Sequence, residues 1–256
     1  MKTIINWGTF WKLWAACTIA SMMVIPYQMH FSPDAAAAME EFGALLIYAL
    51  TGAQNAILFG IVTFIGLWIA PKAGFKLPVL EGENRWESFK KILIPSIIWG
   101  ITAALLIIGL DLPFSGITAE MLLDTNYAPA WAGLLASFYG GIAEEVLMRL
   151  FIMSLLVWII LAISRKRGAS EPPAWSVWAA IGIAAILFGL GHLPFTASMV
   201  EIDWLVIARA VLLNGVGGII FGWLFWKRGL VAAIIAHFSA DIVLHVLLPI
   251  IMGWIA

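Results

Sequence analysis

Charge is scarce in this 256-residue chain: Asp, Glu, Lys and Arg make up 11% of it and hydrophobic residues 63%. A soluble domain carries about a quarter charged residues, so this balance excludes an ordinary soluble globule. The net charge is −1, with no basic excess to hold a phosphate backbone, and no nucleic-acid partner is expected. Cysteine is nearly absent. The single Cys17 excludes an internal disulfide framework and is expected simply to pack. The helical zinc pattern H-E-x-x-H does not occur, and no inverted repeat with paired broken helices stands out as it does in many transporters.

Long apolar runs are what the chain has instead. Several exceed about 18 residues, the length at which a helix crosses a bilayer, so the expected fold is all-α: one integral membrane domain, a polytopic bundle of seven or eight transmembrane helices. Proline, glycine and charge divide the chain into spans. Span one is expected over Ile5 to Tyr27; Trp14-Ala15-Ala16-Cys17 is a poor lipobox, so this run reads as a retained membrane helix rather than a cleaved signal. Ser32-Pro33-Asp34 has the cap, first-turn proline and acid of a helix start, and that helix is expected to carry span two from Ala35 through Ala70. A polar stretch from Lys72 to Lys91 precedes span three, Ile92 to Leu110, which a polar loop to Ala128 follows. Span four runs from Pro129 to Ile163, span five from Ala174 to His192 and span six from Trp204 to Trp226. The last run, Leu230 to Ala256, is interrupted by Pro249 and reads as one kinked helix or as a helix plus a short eighth one.

Placing the Lys and Arg residues on alternating sides tests this division. Lys2, Lys12, Lys72, Lys76, Arg85, Lys90, Lys91, Arg165, Lys166, Arg167, Lys227 and Arg228 all fall on or near the N-terminal side. The opposite loops carry Asp34, Glu40, Glu41, Asp111, Glu120, Asp124, Glu201 and Asp203 and no Lys or Arg. Basic loops stay in the cytoplasm, so the N-terminus is expected there and the acidic loops outside. Only Arg149 and Arg209 remain, both within spans.

Ionisable groups inside an apolar helix cost about 2.5–3.5 kcal/mol each on insertion scales, so they usually face a bundle interior and mark function. Span four holds three, Glu144, Glu145 and Arg149. At about 100° per residue Glu145 and Arg149 share a face and can pair, whereas Glu144 points about 140° from Arg149 and is left free. Span four is also long: about 34 residues, roughly 51 Å against a core of about 30 Å, so it must tilt, protrude or kink, and Gly140-Gly141 is the natural place. Span five ends in Phe188-Gly189-Leu190-Gly191-His192, and on the last span His237, Asp241 and His245 recur every four residues as one polar stripe. A helix contact explains such a stripe as simply as chemistry does. Together, however, a carboxylate, imidazoles and a further acid on three spans are the parts of a hydrolytic site: a base to take a proton from water and fixed donors for an oxyanion. The same residues, Glu144, His192, His237 and Asp241, are also the types that bind Zn²⁺. Arg209 reads as the partner of an acid near the site in preference to a substrate carboxylate, and the span-six glycines as points of close helix packing.

Glu144-Glu145-x-x-x-Arg149, Phe188-x-x-x-His192 and His237-x-x-x-Asp241, in that order on successive spans, resemble the three motifs of the CAAX protease and bacteriocin-processing family, which includes the CAAX-prenyl endopeptidases of the Ras-converting type. The resemblance covers about Ala130 to Val246. It implies a glutamate-dependent intramembrane endopeptidase without a covalent acyl-enzyme, acting on a membrane-associated or prenylated protein or peptide in the bilayer. By that resemblance Glu144 and His192 hold and activate the water, His237 and position 241 stabilise the oxyanion, and Glu145 and Arg149 orient the site. No cofactor is expected, with zinc as the alternative. One departure matters: the prenyl endopeptidases typically have Asn at position 241, an amide donor, whereas Asp241 donates only when protonated. Otherwise it accepts from His237 and orients the ring, or points to a metal. The rival class is a non-catalytic membrane binding protein, conferring bacteriocin self-immunity or scaffolding a partner, with the same residues as a packing network.

Overall fold

The computed structural model describes residues 5–122, 128–165 and 172–255. Lys2, Asp124, Lys166 and Arg167 of the charge pattern lie outside the described residues. Among those described every regular element is a helix. Seven stretches are long and apolar enough to cross a membrane: Trp7–Phe31, Ala44–Ile69, Arg85–Met121, Ala130–Ser164, Ala174–Thr196, Trp204–Arg228 and Leu230–Gly253, here spans one to seven. The protein is a polytopic helical membrane bundle.

Three expectations are corrected, and the choice left open at Pro249 is decided. Ser32 does cap a helix, accepting from the Ala35 N–H at 3.3 Å, but that helix stops at Phe42. Gly43, at φ 81°, sits in the left-handed region that a side chain disfavours, and the break it makes starts span two afresh at Ala44. The polar region after Leu110 is not a loop throughout: a short tight turn, Leu112–Phe114, carries the chain into a further helix, Ser115–Leu122. Span three likewise begins at Arg85, taking in residues assigned to the polar stretch. At the other end Pro249 does not create an eighth span. The helix widens into π turns over Ile242–Leu247 and continues through Leu248–Ile255. The missing proline N–H leaves the carbonyl of His245 without its usual helical donor. Gly133 of span four packs there, so closely that a Cβ would collide with that carbonyl.

Span four sits in the middle, touched by spans one, two, five and seven, while span six lies along span five and span seven along span three. Lipid is as apolar as leucine, so burial of apolar surface does not drive these contacts; close approach at small residues does. A Cβ on Gly66 of span two would come within 2.9 Å of Leu150 on span four, and one on Gly218 of span six within 2.8 Å of Ala185 on span five. Polar bonds add to this, as where Trp14 donates its indole N–H to the Ala56 carbonyl at 2.8 Å and ties span one to span two. The central position of span four is what buries its ionisable residues: Glu145 and Arg149 are both fully shielded.

Candidate active site

Span four is π-helical over Tyr139–Glu144 and again over Val146–Met153, with Glu145 between the two segments. The wider register shows in Ser154, whose hydroxyl donates to the Arg149 carbonyl five residues back at 3.2 Å. Such turns are rare and tend to accompany function. A third follows directly on Asp241 in span seven. Two of the three helices that carry the polar motifs therefore leave regular geometry at or beside the motifs, while span five stays α-helical through Gly191.

The two helices meet through glycine. A Cβ on Gly140 would collide with Asp241 Oδ2 and lie 3.2 Å from His237 Nε2, and one on Gly141 would come within 2.9 Å of the Phe238 side chain. The absent side chains let span seven approach span four until its imidazole reaches the glutamates.

At that contact His237 Nδ1 lies 2.9 Å from Glu145 Oε1. A carboxylate only accepts, so Nδ1 carries the hydrogen and Nε2 is the free nitrogen. Nε2 faces two more carboxylates, Asp241 Oδ1 at 3.6 Å and Glu144 Oε2 at 3.8 Å, neither close enough for a direct hydrogen bond. The ring is stacked on Phe221, with centroids 4.7 Å apart and planes at 21°, and Phe188 packs edge-on against it. Its tilt and rotation are thus set by one hydrogen bond and two aromatic rings.

The other oxygen of Glu145 lies 3.2 Å from Arg149 Nε, as the four-residue spacing predicts. The two atoms are close but not aligned as a hydrogen bond, and the remaining guanidinium nitrogens meet no acceptor among the described residues. Two aromatic faces take their place: Arg149 Cζ is 5.4 Å from the Phe188 ring and 5.9 Å from the Phe221 ring. The expectation that Glu144 escapes this pair also holds. Its carboxylate accepts no hydrogen bond from the described residues and keeps 18% of its side chain exposed, whereas Glu145 has none.

His192 adjoins that cluster through Phe188. It makes neither a hydrogen bond nor an ion pair with Glu144 among the described residues, and the Phe188 ring packs against both imidazoles, 4.7 Å from His192 and 5.7 Å from His237. Its Nδ1 lies 2.8 Å from the Phe188 carbonyl, which can only accept, so Nδ1–H donates and the neutral ring presents Nε2 as a base. His192 lines a cavity of about 270 Å³ together with His245, Tyr27, Asn214, Arg209 and apolar side chains that include Phe31 and Met199.

Two residues outside the motifs join the site. Tyr27 Oη lies 3.0 Å from His245 Nδ1, and His245 Nε2 lies 3.9 Å from Asp241 Oδ1, so polar atoms run from the cavity wall to His237. The four-residue stripe in the sequence points to His245. Nothing in the sequence marks Tyr27, which looks like any tyrosine near a span end.

Arg209 is paired. It donates to both carboxylate oxygens of Asp111, at 2.7 and 2.9 Å, and to Thr118 at 3.1 Å. Zinc demands several donors converging at about 2.0–2.2 Å from one point. Among the described residues no group of three or more His, Cys, Asp and Glu side chains is placed to hold a metal ion.

The fold and this centre define a class: a helical membrane protein with carboxylates and imidazoles gathered in its interior. Residues 126–243 match the family model described as type II CAAX prenyl endopeptidase, Rce1-like. The matched stretch contains Glu144, Glu145, Arg149, His192, His237 and Asp241, while Tyr27 and His245 lie outside it. An endopeptidase hydrolyses a peptide bond, which is the reaction class that the family's description carries. Comparison with curated proteins and with solved structures returned no match.

Proposed function

We propose that this protein is an intramembrane endopeptidase that hydrolyses a peptide bond of a membrane-associated protein or peptide, with water activated by Glu144 and His192. The observation that carries this reading is the free face of His237: Nδ1 is committed to Glu145, and Nε2 looks toward Glu144 and Asp241 at distances that leave all three atoms able to take a further partner. An oxygen bound beside Nε2 would be within reach of two carboxylates and one imidazole.

In this mechanism Glu144 takes a proton from water as the water oxygen attacks the scissile carbonyl carbon. The C–O bond forms, the carbonyl π bond becomes an oxyanion, and His237 Nε2–H, with the ring doubly protonated, donates to it. The C–N bond then breaks, and the proton passes from Glu144 to the leaving amine. His192, with Nε2 unprotonated, holds the water's second hydrogen. Asp241 departs from the amide of the prenyl endopeptidases; as an acid it adds a donor to the oxyanion, and as a carboxylate it holds His237. Glu145 and Arg149 position the ring and do not touch substrate. The reading requires no metal, and the family's prenylated proteins are one substrate class among those it allows.

Cleavage in H₂¹⁸O under single-turnover conditions tests the direct attack of water. One ¹⁸O should appear in the new C-terminal carboxyl group while the protein's mass stays unchanged. A protein mass raised by an acyl fragment during turnover would overturn the mechanism.

A further inference from the structure

Seven spans alternate in direction, so the C-terminal ends of spans one, three, five and seven lie at the same end of the bundle as the starts of spans two, four and six. The cavity belongs to that end. Phe31, Met121, Thr196 and Met199 lie at or just beyond ends of odd-numbered spans, Ala128 lies just before span four, and Arg209 is in the first turns of span six. Among the described residues none of the lining comes from the opposite end, where Lys72, Lys76, Arg85, Lys90, Lys91, Lys227 and Arg228 cluster. From the mouth the cavity leads inward to His192 and His245.

The protein surface at this end of the bundle is acidic. Asp34, Glu40, Glu41, Glu120, Glu201 and Asp203 are exposed at this end, and the one cation among the lining residues, Arg209, is neutralised by Asp111. Two consequences follow from simple electrostatics. Basic loops are retained in the cytoplasm, which puts the mouth on the opposite face. A rim of one sign also concentrates ligands of the other at the entrance.

We propose that substrate enters this cavity from the extracytoplasmic face, and that it is a peptide segment with an apolar stretch for the cavity and basic residues beside it for the rim. The proposal rests on the endopeptidase reading. It sets this protein apart from enzymes that trim prenylated C-termini in the cytosol, because such substrates would meet the basic end, which contributes no described residue to the lining of this cavity.

Single-cysteine labelling tests it without requiring catalysis. In a Cys17→Ser background, Met199→Cys reports the mouth, Asn214→Cys the cavity wall and Lys91→Cys the basic end. A membrane-impermeant maleimide added to intact cells should label Met199→Cys and Asn214→Cys, and should reach Lys91→Cys only in inverted vesicles. A Lys-flanked apolar peptide should slow labelling of Asn214→Cys by about threefold or more at low salt, an effect that high salt removes and a Glu-flanked peptide lacks. Labelling of the two cavity positions only from inverted vesicles would overturn the sidedness. Labelling of Met199→Cys alone would overturn the entry route, and equal protection by both peptides the substrate charge. Because none of these signals depends on turnover, a failure here is distinct from a failure of the protease reading, which appears as cleavage that survives Glu144→Gln.

Discussion

His237 Nδ1 and Glu145 Oε1, on helices whose residues are 92 positions apart in sequence, are joined by a 2.9 Å hydrogen bond. Glu145 has its second oxygen at Arg149, so one buried carboxylate links a cation that cannot leave to an imidazole that must be aimed. Removing one member of a buried charge pair leaves the other uncompensated, at a cost of about 3–5 kcal/mol.

Arg149→Met alone should therefore reduce the amount of folded protein, measured by thermal unfolding in detergent. Adding Glu145→Gln should recover most of the loss, because the neutral pair carries no orphan charge and the Gln oxygen still accepts from His237 Nδ1. If both variants were equally destabilised, the pair would not be the cause.

Gly140 offers a sharper test of how the site is assembled. Gly140→Ala places a methyl group against Asp241 and His237. Overpacking costs about 1–3 kcal/mol, which the bundle can survive, but Asp241 must move. The expected result is a folded protein with cleavage reduced far more than stability. Gly109→Ala, where a Cβ meets nothing within 4 Å, is the control and should leave both unchanged.

The outline of this fold was legible because lipid imposes one rule on every span: twenty or so apolar residues, with charge only at the ends. The departures arise where a single residue acts through geometry. Gly43 breaks a helix that its cap and acid alone would extend, and the π turns of span four depend on packing that no periodicity reveals. Within the site, Glu145–Arg149 could be read from spacing and Glu144 as the free acid from the same wheel. That Glu145 also holds His237, and that Phe188 packs against both His237 and His192, are tertiary facts. Tyr27 is the clearest omission, since its partner is 218 positions away.

Tyr27 supplies a further prediction. Tyr27→Phe keeps the ring and removes the hydroxyl that meets His245 Nδ1. A neutral hydrogen bond contributes about 0.5–1.5 kcal/mol, so cleavage should fall by up to about tenfold, much less than for His237→Ala. His245→Ala should give the same loss, with no further loss in the double variant. Additive losses would show that the two residues act separately.

The central claim is that Glu144 activates water without a metal. It is tested most directly by incubating a peptide library with purified protein in detergent, wild type beside Glu144→Gln, each with and without a chelator. The account predicts cleavage by the wild type that the chelator leaves intact and that Glu144→Gln lowers by at least about 100-fold with folding unchanged. Cleavage by the Gln variant at the wild-type rate would contradict the role of Glu144, and loss of wild-type cleavage with chelator would contradict a metal-free site.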